Sequence, residues 1–305
     1  MDLYLPYSSR DVPDRKSDRK NICWNLVRVV VFAGNSLDAS TATGRKTRTL
    51  RGVNFDLLSE AEVVRHVLSE SRAGNGGWVA TPNVDILCQL RKSPEMLVLV
   101  QHASLRVPDG MPLIWASKVR GEPLVERVTG SSLIYTLTEA AARSGLSIYL
   151  LGGEPGVPEA AAENLARRYQ GLKVAGTDAP PFGFDKSSAE MAVVRQRLVD
   201  ASPNIVYVGL GFPKQERIIC ELASVIPTTW FIGCGAAIPF AAGVVPRAPV
   251  WMQRFSLEWV HRLIIEPRRL CKRYLLHDLP YAIWLLAESI AVRIARTMIR
   301  KLYKP

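Results

Sequence analysis

The residues of this 305-residue chain best suited to chemistry are Thr81 and Asn83, in Thr81-Pro82-Asn83, and Asp109, in Val107-Pro108-Asp109-Gly110. Each group follows an apolar, strand-like run, and open parallel sheets bind ligands in the crevice outside the carboxyl ends of their strands. A lone Asp-Gly is ordinary turn chemistry. After an apolar strand, on the same sheet edge as a hydroxyl and an amide, the Asp109 carboxylate is placed to take a proton from a sugar hydroxyl. Three more apolar runs end in glycine, at Gly152-Gly153, Gly209-Leu210-Gly211 and Gly233-Cys234-Gly235. Such turns let backbone approach a ligand and offer helix N-termini to a diphosphate, although tight strand-to-helix turns also use glycine for geometry alone. None has the G-x-G-x-x-G spacing of dinucleotide dehydrogenases. Arg127, in Glu126-Arg127-Val128-Thr129-Gly130, and Gln215, in Pro213-Lys214-Gln215-Glu216, add polar groups at helix starts, where solvation and capping are the plain alternatives. One base suffices for a single displacement at a sugar carbon, whereas glycoside hydrolysis uses a carboxylate pair. With no D-x-D cluster at a strand end, arginines and helix N-termini are expected to carry the charge of a departing diphosphate without a metal or other cofactor.

Holding these groups on one edge requires strands and helices that alternate. The patterning predicts strands over 77–81, 105–108, 147–151, 173–176, 205–209 and 228–232, with helices over 84–90, 131–144, 158–169, 187–201 and 214–222 between them. Ser59 with Glu62 forms a capping box ahead of Val63, Val64, Val67 and Leu68. Upstream, the β-branched run 26–32 and the weakly alternating 47–53 predict a hairpin around a polar loop. Fully apolar strands such as Ile148-Tyr149-Leu150-Leu151 imply a sheet covered on both faces. The expectation is an α/β fold, a Rossmann-like and mostly parallel sheet with helices on both faces, followed by a basic helical appendage. The divisions are an N-terminal arm over 1–24, an α/β core over 25–243 and the appendage over 244–305.

Charge is unevenly spread. Of a net +11, residues 245–305 carry +8, from twelve Lys/Arg against Glu258, Glu266, Asp278 and Glu288. That favours a phosphate-rich partner. A nucleic-acid binder would explain the charge but leave Asp109 and the glycine loops idle, and the tail has no recognisable reading module, so nucleic acid is not expected as a partner. A non-catalytic scaffold is the other rival, and the intact Asp109, Thr81 and Asn83 argue against it. From Leu279 to Tyr303, Ile283, Leu286, Ile290, Ile294, Met298 and Leu302 recur at helical spacing, with Arg293, Arg296, Arg300 and Lys301 on other faces. This is the pattern of a helix lying in an anionic membrane interface, although docking on its own core or in a homo-oligomer would also cover it. The apolar stretch 279–292 is too short for the ~20 residues of a bilayer span. Residues 1–21 lack the apolar core of a secretory signal, and the five cysteines are dispersed, without a C-x-x-C pair. A cytoplasmic setting at the inner membrane face, with no structural zinc, is the resulting expectation.

With these blocks in order, the chain resembles the WecG/TagA/CpsF family of bacterial glycosyltransferases. The resemblance runs from about Gly77 to Tyr274, through Thr81-Pro82-Asn83, Asp109-Gly110, Glu126 to Gly130, Gly152-Gly153, Gly209 to Glu216, Arg247-Ala248-Pro249, Leu257-Glu258-Trp259 and Glu266 to Leu270. It implies an inverting, metal-independent transfer from a UDP-sugar to a polyprenyl-diphosphate-linked saccharide in cell-surface polymer or exopolysaccharide synthesis. By resemblance, Asp109 is the base, Thr81, Asn83, Arg127 and Gln215 hold donor and acceptor, and Arg262 and Arg269 meet the leaving diphosphate. UDP-glucose is the expected donor, because the long N-terminal arm and extended tail depart from shorter members; UDP-N-acetylmannosamine and its uronate are the alternatives. The tail is expected to close over the crevice on a membrane, and a chain cut near Gly243 to stay folded but lose transfer.

Overall fold

Six strands among the described residues form one parallel sheet. The structure, a computed structural model, describes residues 44–254 and 257–302; the side chains of Val250, Arg254, Arg269 and residues 299–302 also fall outside that description. The chain opens with a hairpin, β1 (Thr47–Leu50) and β2 (Val53–Asp56), then α1 (Glu60–Arg72) and β3 (Gly77–Ala80). There follow α2 (Val84–Leu90), α3 (Pro94–Gln101), β4 (Leu105–Arg106), α4 (Met111–Arg120), α5 (Gly130–Arg143), β5 (Ser147–Leu151), α6 (Val157–Arg168) and β6 (Lys173–Asp178). The series continues with α7 (Ser188–Ala201), β7 (Ile205–Val208), α8 (Lys214–Val225), β8 (Trp230–Gly233) and α9 (Ala237–Ala242). The sheet order is β4-β3-β8-β7-β5-β6, every neighbouring pair parallel. Consecutive β3 and β4 lie on one side of β8, and β5, β6 and β7 on the other, so the connections diverge beside β3 and β8, where an open α/β sheet leaves a crevice. Two apolar layers cover the sheet. Tyr149, Leu151, Val206, Val208 and Phe231 face one, and Ile148, Leu150, Ile205, Tyr207 and Ile232 the other. Alternate residues of each strand serve opposite layers, which is why the strands are apolar throughout.

Local chemistry accounts for the boundaries. Ser59 and Glu62 close the expected capping box on α1, and Asn83 caps α2 by accepting from the Ile86 N–H at 2.9 Å. Two expectations are corrected. Residues 47–53 are not one strand: they fold back on themselves, turning at Arg51 (φ 54°) and Gly52 (φ 81°), while the 26–32 run of the expected hairpin lies outside the described residues. The stretch after Asp109, for which no helix is expected, enters one at once, because Gly110 at φ 136° swings the chain into α4, with Pro112 in its first turn and Leu113, Ile114 and Ala116 buried.

The C-terminal stretch is helical: α10 (Val250–Arg254), α11 (Glu258–Ile265), α12 (Pro267–Arg273), a π-helical turn (Tyr274–Asp278) and α13 (Leu279–Leu302). The run Leu270–Met298, 29 residues, is long and apolar enough to cross a bilayer by length and composition alone. That departs from the expectation based on 279–292, since the helix continues through the π turn. One side of it belongs to the folded body. Tyr281, Ala282 and Leu285 join the cluster containing Leu87 and Leu113, Glu288 pairs with Arg51 at 2.8 Å, and Arg296 with Glu122 at 2.9 Å. Trp284 stacks under the Arg51 guanidinium, 4.4 Å from the ring centre. The other side leaves Leu276, Leu279, Ile283, Ile290, Ile294 and Met298 exposed. A chain cut at Gly243 would uncover core side chains, so the expectation that it stays folded does not agree with this packing.

Candidate active site

Backbone pairing places Asp109 beside Thr81 and Asn83. The Val107 N–H donates to the Ala80 carbonyl and the Asp109 N–H to that of Pro82, both at 3.0 Å, so the ladder between β3 and β4 runs past the formal strands. The Val128 N–H donates in turn to the Pro108 carbonyl, bringing Arg127 alongside. Thr129 caps α5, and Gly130 is required there: a Cβ on it would stand 2.7 Å from Cys234 Cα. Thr81 is buried and donates its hydroxyl to the Gly233 carbonyl at 3.1 Å, tying β3 to β8 at their carboxyl ends.

These ends open into a cavity of about 1020 Å³, near the upper limit for small-molecule sites. Asp109, Thr81, Asn83, Arg127 and Gln215 line it, as do Gly209, Gly211 and, from α11, Arg262. Gly152 and Gly153 do not reach it. Gly152 lies against the next loop, where a Cβ would approach the Gly209 carbonyl oxygen to 2.8 Å; this glycine turn serves packing, at the end of β5, which β8 and β7 separate from β3. Arg269 lies on α12, and its side chain is outside the described residues.

Several lining groups were not singled out from the sequence. Glu258, in the first turn of α11, accepts from Arg127 Nη1 at 2.7 Å and lies 3.7 Å from Arg247 Nε, so Arg127 is engaged in a bridge between core and tail rather than held open. At the far wall Arg273 sits 3.8 Å from Asp85 and 3.6 Å from Asp278, joining the π turn to α2. Burial pushes Asp278 up to about 6, with Asp85 adding and Arg273 opposing. Nothing in their spacing announced these groups, which come from segments nearly two hundred residues apart.

Electrostatics act on Asp109 as well. Burial at the cavity wall pushes its carboxyl up to about 7; Arg127 opposes the rise, Glu258 adds to it and Arg262 opposes it. A carboxyl near neutrality is matched to base catalysis. Among the described residues no three His, Cys, Asp or Glu side chains gather as a metal-binding group.

The family model described as "Glycosyl transferase WecG/TagA/CpsF family" matches residues 48–295, which spans the sheet, the cavity and most of the helical tail. The chain belongs to that family. It is a glycosyltransferase, and the WecG/TagA/CpsF assignment extends to the tail that supplies Glu258 and Arg262. Among curated relatives, one from Bacillus subtilis (strain 168) is 29% identical over 215 residues, 70% of this chain and 80% of its own. One from Staphylococcus aureus (strain NCTC 8325 / PS 47) is 28% identical over 240 residues, 78% of this chain and 91% of its own. Both carry the name N-acetylglucosaminyldiphosphoundecaprenol N-acetyl-beta-D-mannosaminyltransferase.

Proposed function

We propose that this WecG/TagA/CpsF enzyme transfers an N-acetylmannosaminyl group from UDP to a sugar carried on a polyprenyl diphosphate, with inversion and with Asp109 as general base. The observation that carries the reading is the setting of Asp109: one carboxyl, raised toward 7, in a cavity whose same wall bears Arg127 and Arg262. In the transfer, Asp109 takes the proton of the acceptor hydroxyl as that oxygen attacks the anomeric carbon. The carbon–oxygen bond to the diphosphate breaks, and its electron pair stays on UDP, beside Arg262. The relatives' names favour N-acetylmannosamine over the glucosyl donor expected from the arm and tail lengths.

A lipid acceptor also suits the far side of the cavity, where Leu275, Leu279, Ile283 and Leu286 line the wall. The exposed apolar face of α13, flanked by Arg293 and Arg296, and the exposed Trp251 and Trp259 support a helix lying in the membrane interface at the inner face, rather than spanning it. The test is transfer from UDP-N-acetylmannosamine, UDP-N-acetylglucosamine and UDP-glucose to a synthetic polyprenyl-diphosphate N-acetylglucosamine, with and without anionic vesicles, the product followed by mass spectrometry. Product from the first donor, lost in Asp109→Asn, is the expected result; absence of product from all three, without UDP binding, overturns the proposal.

A further inference from the structure

Glu216 is a carboxyl in the core that closes the block Gly209 to Glu216 without a role assigned to it there, and the proposed mechanism does not employ it as a reacting group. It is 3% exposed, in the first turn of α8, and its Oε2 has no hydrogen-bond partner. Its Oε1 accepts from Gln215 Nε2 at 2.8 Å, and Gln215 Oε1 accepts from the Gly235 N–H at 3.3 Å. Gln215 and Gly235 both line the cavity. The backbone makes room for this chain of bonds. A Cβ on Gly233 would come within 3.0 Å of Gln215 Nε2 and 3.8 Å of Glu216 Oε1, and the Gly233 carbonyl is the acceptor for Thr81. A carboxyl so placed is costly to desolvate, and an apolar side chain of equal size would pack the same space without that cost.

We infer that Glu216 is a positioning residue, which through Gln215 fixes the orientation of a carboxamide that contacts the sugar nucleotide. A carboxamide can turn end for end with little change in shape. Here the Glu216 acceptor on one end and the Gly235 donor on the other permit a single orientation, leaving Gln215 one amide N–H and one carbonyl lone pair for a ligand. Without Glu216 the amide loses one of its two anchors, and part of the binding energy goes into ordering it. The inference rests on the cavity being the nucleotide-sugar site.

The experiment is a double-mutant cycle on the full chain, with Glu216→Met, Gln215→Ala and the pair, and with Glu216→Gln as the conservative variant. Readouts are UDP binding by calorimetry, kcat and KM for the UDP-sugar, and thermal melting. Glu216→Met is expected to raise KM by about 2- to 12-fold, the worth of one hydrogen bond, with kcat little changed and melting at or above the parent's. Glu216→Gln, whose amide oxygen can accept the same N–H, is expected to recover most of the loss. On the Gln215→Ala background, Glu216→Met is expected to add nothing. Parental KM in Glu216→Met, multiplicative losses across the cycle, or equal losses in both Glu216 variants that track melting overturns the inference. Binding of UDP by the parent in such a case confines the failure to Glu216; no binding by the parent removes the site reading and this inference together.

Discussion

Replacing Asp109 by Asn tests both the proposed chemistry and the electrostatics behind it. The substitution keeps size and removes the titrating group. Lifting a carboxyl from 3.8 to about 7 on folding costs its ionised form, at 1.36 kcal/mol per pH unit, ~4 kcal/mol. Water reaching the half-buried side chain through the cavity lowers the figure, so ~2–4 kcal/mol is expected. The folded-state pKa is raised, so the stabilising contribution of the protonated carboxyl is complete below pH 3.8 and lost as pH climbs through 7. Stability of Asp109→Asn relative to the parent is therefore expected to be flat in acid, to rise between pH ~4 and ~7, and to level off above. Other raised carboxyls, Glu216 and Asp278, titrate in both proteins and cancel in the difference. The assay is urea unfolding of both proteins from pH 4 to 8, beside transfer measurements, where loss of a general base is expected to cost ~10²–10⁴-fold. A stability difference independent of pH, or transfer at the parental rate by a folded Asp109→Asn, refutes the reasoning.

Parental kcat/KM is expected to fall about tenfold per pH unit below ~7, as Asp109 becomes protonated. In Glu258→Gln that acidic limb should move to lower pH, because Glu258 raises the Asp109 pKa; a pH–rate profile displaced upward contradicts this. Leu285→Ala, at a fully buried position that joins α13 to the core, is expected to cost ~2–5 kcal/mol in urea unfolding, and parental stability would show that the tail is not part of the core. Gly130→Ala should destabilise by ~1–3 kcal/mol, measured the same way, since its Cβ meets Cys234 backbone that cannot swing aside.

Much of the architecture is written locally. Alternation of apolar runs with capped amphipathic segments was enough to place β5 and α2 at their observed limits, and Ser59 with Glu62 marked the start of α1, because strand period and cap chemistry are properties of neighbouring residues. Asp109, Thr81 and Asn83 were legible as a group for the same reason: strand ends in a parallel sheet share one edge. Helix α4 was missed because Asp109-Gly110-Met111-Pro112 reads as a turn, and its helical character shows in which side chains pack, not in its first residues.

Only the tertiary structure decided what stands around that edge. Gly152 and Gly209 end equivalent strands, yet the order β8-β7-β5 sends one to packing and the other to the cavity. Glu258 and Arg127 meet across 131 residues, and Glu216 differs from a solvated first-turn acid solely in the core that surrounds it. Burial and long-range charge pairing depend on distances through space, which spacing along the chain does not encode; the sequence determined the sheet and its reactive edge, and folding decided which charges face one another across it.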